Sequence, residues 1–180
     1  MPAGKPVNPM EKTRTWTMPT VLSLILTVVG AVSIIELRPQ LNVTPQEQLA
    51  TGQPFSAPFE ITNSGYLGIH VNNIVVIFHR VEVPGASWDD SFIQNTAWNN
   101  FDLDRCKSKT ILPYLVHSNA MPTEADIVCA IDYTFWGKKL RSFFRFEGIR
   151  IDKWQWSKQP IGDLEPKMNQ IVDEALAEKH

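Results

Sequence analysis

The sequence predicts an all-β protein: an antiparallel β-sandwich, preceded by one N-terminal transmembrane helix and followed by a short C-terminal amphipathic helix. Three observations carry this expectation. An apolar run without any charge lies between Arg14 and Glu36. Beyond it, apolar residues recur with a period of two in short stretches punctuated by Gly, Asn and Pro. Only residues 161–180 show convincing helical spacing.

The apolar run "TWTMPTVLSLILTVVGAVSII" covers Thr15 to Ile35. At the rise of an α-helix it spans about 30 Å, the thickness of a bilayer core. Pro19 falls in the first turn, where its missing N–H costs little. Trp16 sits where an interfacial aromatic belongs. Lys5, Lys12 and Arg14 precede the run against Glu11, while Glu36, Arg38 and Glu47 follow it. The positive-inside rule then leaves the N-terminus in the cytoplasm and exports the rest. The alternative is a cleaved signal peptide with a small-x-small site at Ala31-Val32-Ser33. The expected organisation is a cytoplasmic stub (1–14), a transmembrane helix (15–36), an extracytoplasmic β domain (37–160) and a C-terminal helix or tail (161–180). Ser23, Thr27, Gly30 and Ala31 fall on one face of the membrane helix. Such a stripe of small residues is suited to helix pairing, hence to a homo-oligomer.

With the anchor and tails set aside, roughly 120 residues remain, enough for one core and too few for two. The net charge of -2 argues against nucleic acid as a partner, since phosphate binding needs a basic excess. Cys106 and Cys129 are the only cysteines and both follow the anchor. In an oxidising compartment such a pair reads as one disulfide, worth about 3 kcal/mol for a loop of this length. Two free thiols are the other reading. The four histidines show no metal-ligand spacing.

Within the domain, Phe55, Ala57, Phe59 and Ile61 alternate with polar or small residues, as in a strand. Asn63-Ser64-Gly65 supplies turn chemistry. Leu67, Ile69 and Val71 alternate again, and Asn72-Asn73 marks a bend or bulge. The β-branched run Ile74–Phe78 suits a strand covered on both faces. Later, Ile127, Cys129, Ile131, Tyr133 and Phe135 share one face, with Asp126, Asp132 and Thr134 on the other. Gly137-Lys138-Lys139 reads as a hairpin loop. Leu140, Phe144 and Phe146 return along one face. The apolar phase then shifts to Ile149 and Ile151 at Gly148, as at a β-bulge. Thr110 to Val116 reads as an edge strand broken by Pro113. Pro84 to Ser108 is polar with interspersed Trp88, Phe92, Trp98 and Phe101, and reads as a long connection that is either functional or packed on the domain.

The segments "PFEITNSGYLGI" and "DIVCAIDYTFWGKKLRSFFRF" resemble parts of small bacterial single-pass membrane proteins with an immunoglobulin-like exported domain. The resemblance covers roughly residues 40–157 and implies an immunoglobulin-like sandwich in the inner membrane, facing the periplasm. It implies no activity. The chain departs from the antibody pattern, because Ile127 stands where a tyrosine would precede the second cysteine by two residues.

No G-x-S-x-G, H-E-x-x-H, C-x-x-C, P-loop or G-x-G-x-x-G is present, so no catalytic residue, metal site or cofactor is expected. Asp89, Asp90, Asp102 and Asp104 lack the D-x-D-x-D-G spacing of a calcium loop. Surfaces remain. If Leu140, Phe144 and Phe146 face the core, Arg141, Phe143 and Arg145 face out. With Lys138, Lys139, Trp154 and Trp156 they form an expected partner surface. The other reading packs these rings inside the domain. In the tail, Leu164, Met168, Ile171, Val172, Ala175 and Leu176 form one helical stripe, with Asp163 as N-cap. That helix either folds back on the domain or docks a partner. The expectation is a non-catalytic protein-protein interaction or scaffold module of the bacterial envelope. A structural subunit of a secretion or conjugation machine is the alternative, with a carbohydrate-binding module or unfamiliar enzyme behind it.

Overall fold

The computed structural model describes residues 37–47, 57–94, 99–113 and 122–177, together with the single positions Ser23, Leu26, Thr27 and Gly30. The chain divides into two compact units, Met1–Glu36 and Leu37–His180. In the first, the four described residues are helical, and the Thr27 hydroxyl donates to the Ser23 carbonyl at 2.8 Å. Ser23 and Thr27 therefore share a helix face. Ala31 and most of the expected span lie outside the described residues. Among the described residues no helix is long and apolar enough to cross a membrane.

The second unit is mostly β, with antiparallel sheets and a short C-terminal helix. Its elements are β1 (Leu41–Pro45), β2 (Phe59–Asn63), β3 (Ile69–Val83), β4 (Ala86–Gln94), β5 (Phe101–Leu103), β6 (Ser108–Ile111), β7 (Glu124–Phe135), β8 (Lys138–Arg150) and β9 (Trp154–Gln159). A 3₁₀ turn (Gly162–Leu164) leads into α1 (Glu165–Ala177). A small sheet has the order β1-β2-β6. The large sheet has the order β4-β3-β7-β8-β9, with β5 added on β3.

Val43, Phe59, Ile61 and Ile111 of the small sheet join Ile74, Val76, Phe78, Ile127, Ile131, Phe144 and Phe146 of the large one in a single buried core. The opposite face of the large sheet carries a second core, where Val75, Ile77, Val128 and Ala130 meet Met168 and Val172 of α1. All five residues of the Ile74–Phe78 run are buried, because alternate side chains serve the two cores. The bend expected at Asn72-Asn73 is a register shift of β3 against β7 between Val71 and Asn73, and a second shift lies between Phe78 and Arg80.

The turn after β2 is built on Asn63, which is fully buried. Its amide nitrogen donates to the carbonyls of Leu67 (2.8 Å) and Leu103 (3.0 Å), and its side-chain oxygen accepts from Gly65 N–H (3.0 Å). Every polar atom of the amide is used, so the β2–β3 and β5–β6 turns are tied together.

Several expectations are corrected. Pro84 to Ser108 is not one connection: β4 and β5 arise within it and both pair with β3. Trp88 and Phe101 pack against the core, while Trp98 lies outside the described residues. Edge strands need only one apolar face, so their sequence is polar enough to pass for loop. The edge strand around Thr110 is β6, which ends at Ile111 before Pro113. The β7–β8 loop is Trp136-Gly137, since Phe135 pairs with Lys138. Both loop residues have positive φ (49° and 73°), the signature of a type I′ turn.

Gly148 is not a bulge. Its pairing with Ala125 and Trp156 continues without a shift. A Cβ there would lie 2.6 Å from ring atoms of Trp156. That indole is stacked on Trp154 (5.2 Å between centroids) and meets Phe59 edge-on (5.3 Å), so it cannot swing away. The glycine is the space the ring occupies. Gly148→Ala is expected to destabilise the fold by about 2 kcal/mol through overpacking. Most of that cost should vanish in a Trp156→Leu background, measured as a double-mutant cycle by thermal unfolding of the full chain in mild detergent.

The expected Cys106–Cys129 disulfide is absent, and both thiols are free. Cys106 is exposed in the β5–β6 turn, and Cys129 is fully buried on the core face of β7. Cys129 pairs with Val76, whereas Leu103, just before the turn, pairs with Ile69. The distance along β3 is therefore about 20 Å at the strand rise. A bridge needs Cα atoms within about 7 Å. Burial pushes the Cys129 thiol up to about 12. It stays protonated and unreactive at neutral pH, so the folded chain should take one equivalent of maleimide, at Cys106. The second should react only on unfolding, as read by intact-mass spectrometry. Because Cys129 keeps its proton when folded and an unfolded thiol does not, its burial contributes stability that is lost as pH rises from about 9 toward about 12.

Candidate functional site

The outer face of the large sheet is where the sequence placed its partner surface. Alternation along β8 does turn Arg141, Phe143 and Arg145 away from Phe144 and Phe146, but Leu140, expected in the core with those two, lies near the hairpin end of the strand and is exposed. What lies on that side is α1 and not solvent. Phe143, Leu164, Ile171 and Leu176 are half-buried against the core that holds Met168 and Val172. Ala175 is half-buried on the same helix. The expected docking helix is therefore occupied by its own domain, and the expected aromatic hot spot is its seat. The helix also begins differently: Asp163 lies in the 3₁₀ turn, so it is not the N-cap of α1. Trp154 and Trp156 belong to the core between the sheets, on the face opposite Phe143.

Both arginines are consumed by ion pairs. Arg141 Nε and Nη2 donate to the two oxygens of Asp132 at 2.5 and 3.0 Å. Its Nη1 donates to Asp173 (2.9 Å) and Asn169 (3.1 Å) of α1. One guanidinium thus bolts helix to sheet. Arg145 donates through Nη2 to Asp126 (2.7 Å) and Glu147 (3.0 Å), with Nε 3.1 Å from both Asp126 oxygens. Hydrogen bonds to Asp132 and Asp126 respectively raise both guanidinium pKa values, against the opposing effect of burial. The two clusters flank the apolar seat of α1. Each lies beside one of the shifts in β3, where Asn73 faces Asp132 and Arg80 faces Asp126.

Two depressions result. A groove of about 420 Å³ is lined by Asn72, Asn73, Asp132, Lys139, Arg141 and Leu176. Asn72 exchanges hydrogen bonds with Thr134 there, and Arg141 spends its donors as above. The other region lies beyond the start of α1, where the sheet is bare. There a hollow of about 250 Å³ bounded by Arg80, Asp126, Arg145, Glu147 and, from the first turn of α1, Lys167 adjoins one of about 390 Å³ bounded by Arg80, Glu124, Glu147, Ile149, Ile151 and Gln155. Ile149 and Ile151 are 54% and 71% exposed, although the sequence suggested that they continue the core. The signal was present: beyond Gly148 the apolar phase leaves the core face, so these side chains point outward.

Among the described residues, no group of three or more His, Cys, Asp or Glu could hold a metal ion. The bare end therefore offers an apolar step, Ile149 and Ile151, beside a rim of mixed charge, Arg80, Glu124 and Glu147, above a braced ionic floor. That arrangement suits recognition of a complementary surface.

The Asp126 side chain is only 3% exposed and depends on Arg145, itself 22% exposed. Arg145→Met is expected to cost about 3 kcal/mol by stranding a buried carboxylate. Asp126→Leu combined with Arg145→Met should recover most of that loss, as read from thermal unfolding of the full chain.

No family model, no curated protein and no solved structure matches the chain, so its function has to be argued from its own residues.

Proposed function

We propose that the chain is a single-pass membrane protein of the bacterial envelope. Its extracytoplasmic domain is an immunoglobulin-like β-sandwich acting as a non-catalytic protein-protein interaction or scaffold module. The sandwich reading is supported by two antiparallel sheets sharing one core. The membrane reading rests on the uncharged run from Thr15 to Ile35 and its cationic N-terminal flank. Free thiols remove the cysteine argument for an oxidising compartment, so the address rests on the apolar run alone.

The bare end of the large sheet carries the interaction reading. Two neighbouring isoleucines are more than half exposed there, within a rim of charged side chains, which is the composition of a small apolar anchor point. The partner they fit presents an apolar side chain ringed by polar groups. Ile149→Glu with Ile151→Glu is expected to abolish crosslinks from this end to an envelope protein while leaving the melting temperature unchanged. Photo-crosslinking from position 155 in native membranes, read by mass spectrometry, checks it. Crosslinks only between copies of this chain would favour the alternative, a self-assembling subunit of an envelope machine. An unaltered crosslink pattern would remove this surface.

A further inference from the structure

One end of the β domain gathers four segments distant in sequence. The chain enters there, through Leu37–Gln40: Ser64 N–H and hydroxyl both donate to the Gln40 carbonyl at 2.9 Å. Gly65 is pressed against the same segment, with its Cβ position 2.9 Å from Gln40 N and 3.1 Å from Arg38 O. The β2–β3 turn beside it presents Tyr66, 53% exposed, with the Arg105 guanidinium 4.7 Å above the ring. Arg105 comes from the β5–β6 turn, which Asn63 ties to the same end. The fourth segment is the β7–β8 hairpin, placed here by the pairing of His70 with Thr134.

The hairpin tip is unusual in its chemistry. Trp136 is 67% exposed and stacks on Phe135 at 5.1 Å. It holds a left-handed backbone (φ 49°), a conformation that side chains other than Asn, Asp and Gly rarely adopt. Lys138 and Lys139 follow at once, both exposed. Across this end Arg38, Arg105, Lys107, Lys138 and Lys139 outnumber the carboxylates of Asp102, Asp104 and Glu174, the last from the end of α1 whose Leu176 shares a groove with Lys139, and Asp102 is engaged by His70 at 2.8 Å. The excess is cationic on a chain whose net charge is -2.

Exposed aromatic rings beside lysines and arginines are the side chains that settle at the headgroup level of a bilayer. Chain length keeps this end near the membrane. Gln40, fixed to this end, lies four residues after Glu36, where the uncharged run has ended. Four residues reach at most about 14 Å when fully extended. Any less extended connection brings these cations within a Debye length of the headgroups, about 8 Å at physiological salt, where anionic lipid attracts them.

We infer that this end of the domain rests on the bilayer surface, with Trp136 and Tyr66 in the headgroup layer and Lys138, Lys139 and Arg105 on anionic lipid. The inference rests on the membrane reading above and adds an orientation to it. The bare end bearing Ile149 and Ile151 then points away from the lipid.

Cys106 provides the probe, since it is exposed at this end and Cys129 is buried. The full chain carries a nitroxide on Cys106, or on Asp152→Cys in a Cys106→Ser background at the opposite end. Each is reconstituted in vesicles of phosphatidylcholine with phosphatidylglycerol, and in phosphatidylcholine alone. The expected result is a severalfold higher ratio of oxygen to nickel-chelate accessibility at Cys106 than at position 152. The ratio should fall in neutral vesicles and in Lys138→Glu/Lys139→Glu. Equal, water-like ratios at both sites overturn the inference. Carbonate extraction tests the anchor separately. A chain that resists extraction while Cys106 reads as aqueous keeps the anchor and refutes the orientation. A chain stripped by carbonate after Cys106 had read as lipid-bound keeps the surface contact and refutes the anchor.

Discussion

Burial of β3 on both faces is the constraint from which the rest of the domain follows. Ile74 to Phe78 offers no polar side chain to either side, so each face must be covered by something else. The small sheet covers one with Phe59, Ile61 and Ile111. Among the described residues the other has no second sheet, and α1 supplies that layer through Met168 and Val172. The helix has 13 residues and would be marginal alone in water. Its stability comes from the sheet, as the sheet's dryness comes from the helix.

The polar residues of the outer face are arranged around that seat. Asp126 and Asp132 are set into this largely buried face, and Arg145 and Arg141 stand within hydrogen-bond reach of them. The shifts in β3 sit at the same two levels, where the strand bends and widens the space beside the apolar patch. Helix α1 reaches the second level only with its first turn, where Lys167 lines the hollow beside Asp126 and Arg145. The sheet beyond it is left open, with isoleucine side chains at its margin, and there the molecule has surface to offer.

Much of this was legible in advance because strands alternate. Which face Ile127, Cys129, Ile131 and Tyr133 share, the turn at Asn63-Ser64-Gly65, the break at Asn72-Asn73 and the two-sided burial of Ile74–Phe78 all follow from local rules. The errors have a common cause in partners that are remote in sequence. Phe143 was correctly turned away from Phe144, but nothing local says that Met168 and Val172 will lie upon it. Cys106 and Cys129 are 23 residues apart, and β6 intervenes between them in the other sheet. Gly148 has the phase change of a bulge, and only the ring of Trp156 reveals that it is a socket.

The sequence alone determined the period-two strands, the uncharged run, the helical tail and the side to which each residue points, because these depend on neighbours one to four positions away. Tertiary structure alone decided what each side meets: helix for Phe143, core for Trp154 and Trp156, solvent for Ile149 and Ile151, a free thiol for Cys106. Those outcomes depend on how the sheets stack and where α1 ends. Such geometry is fixed by the summed packing of the whole chain, and no local pattern encodes it.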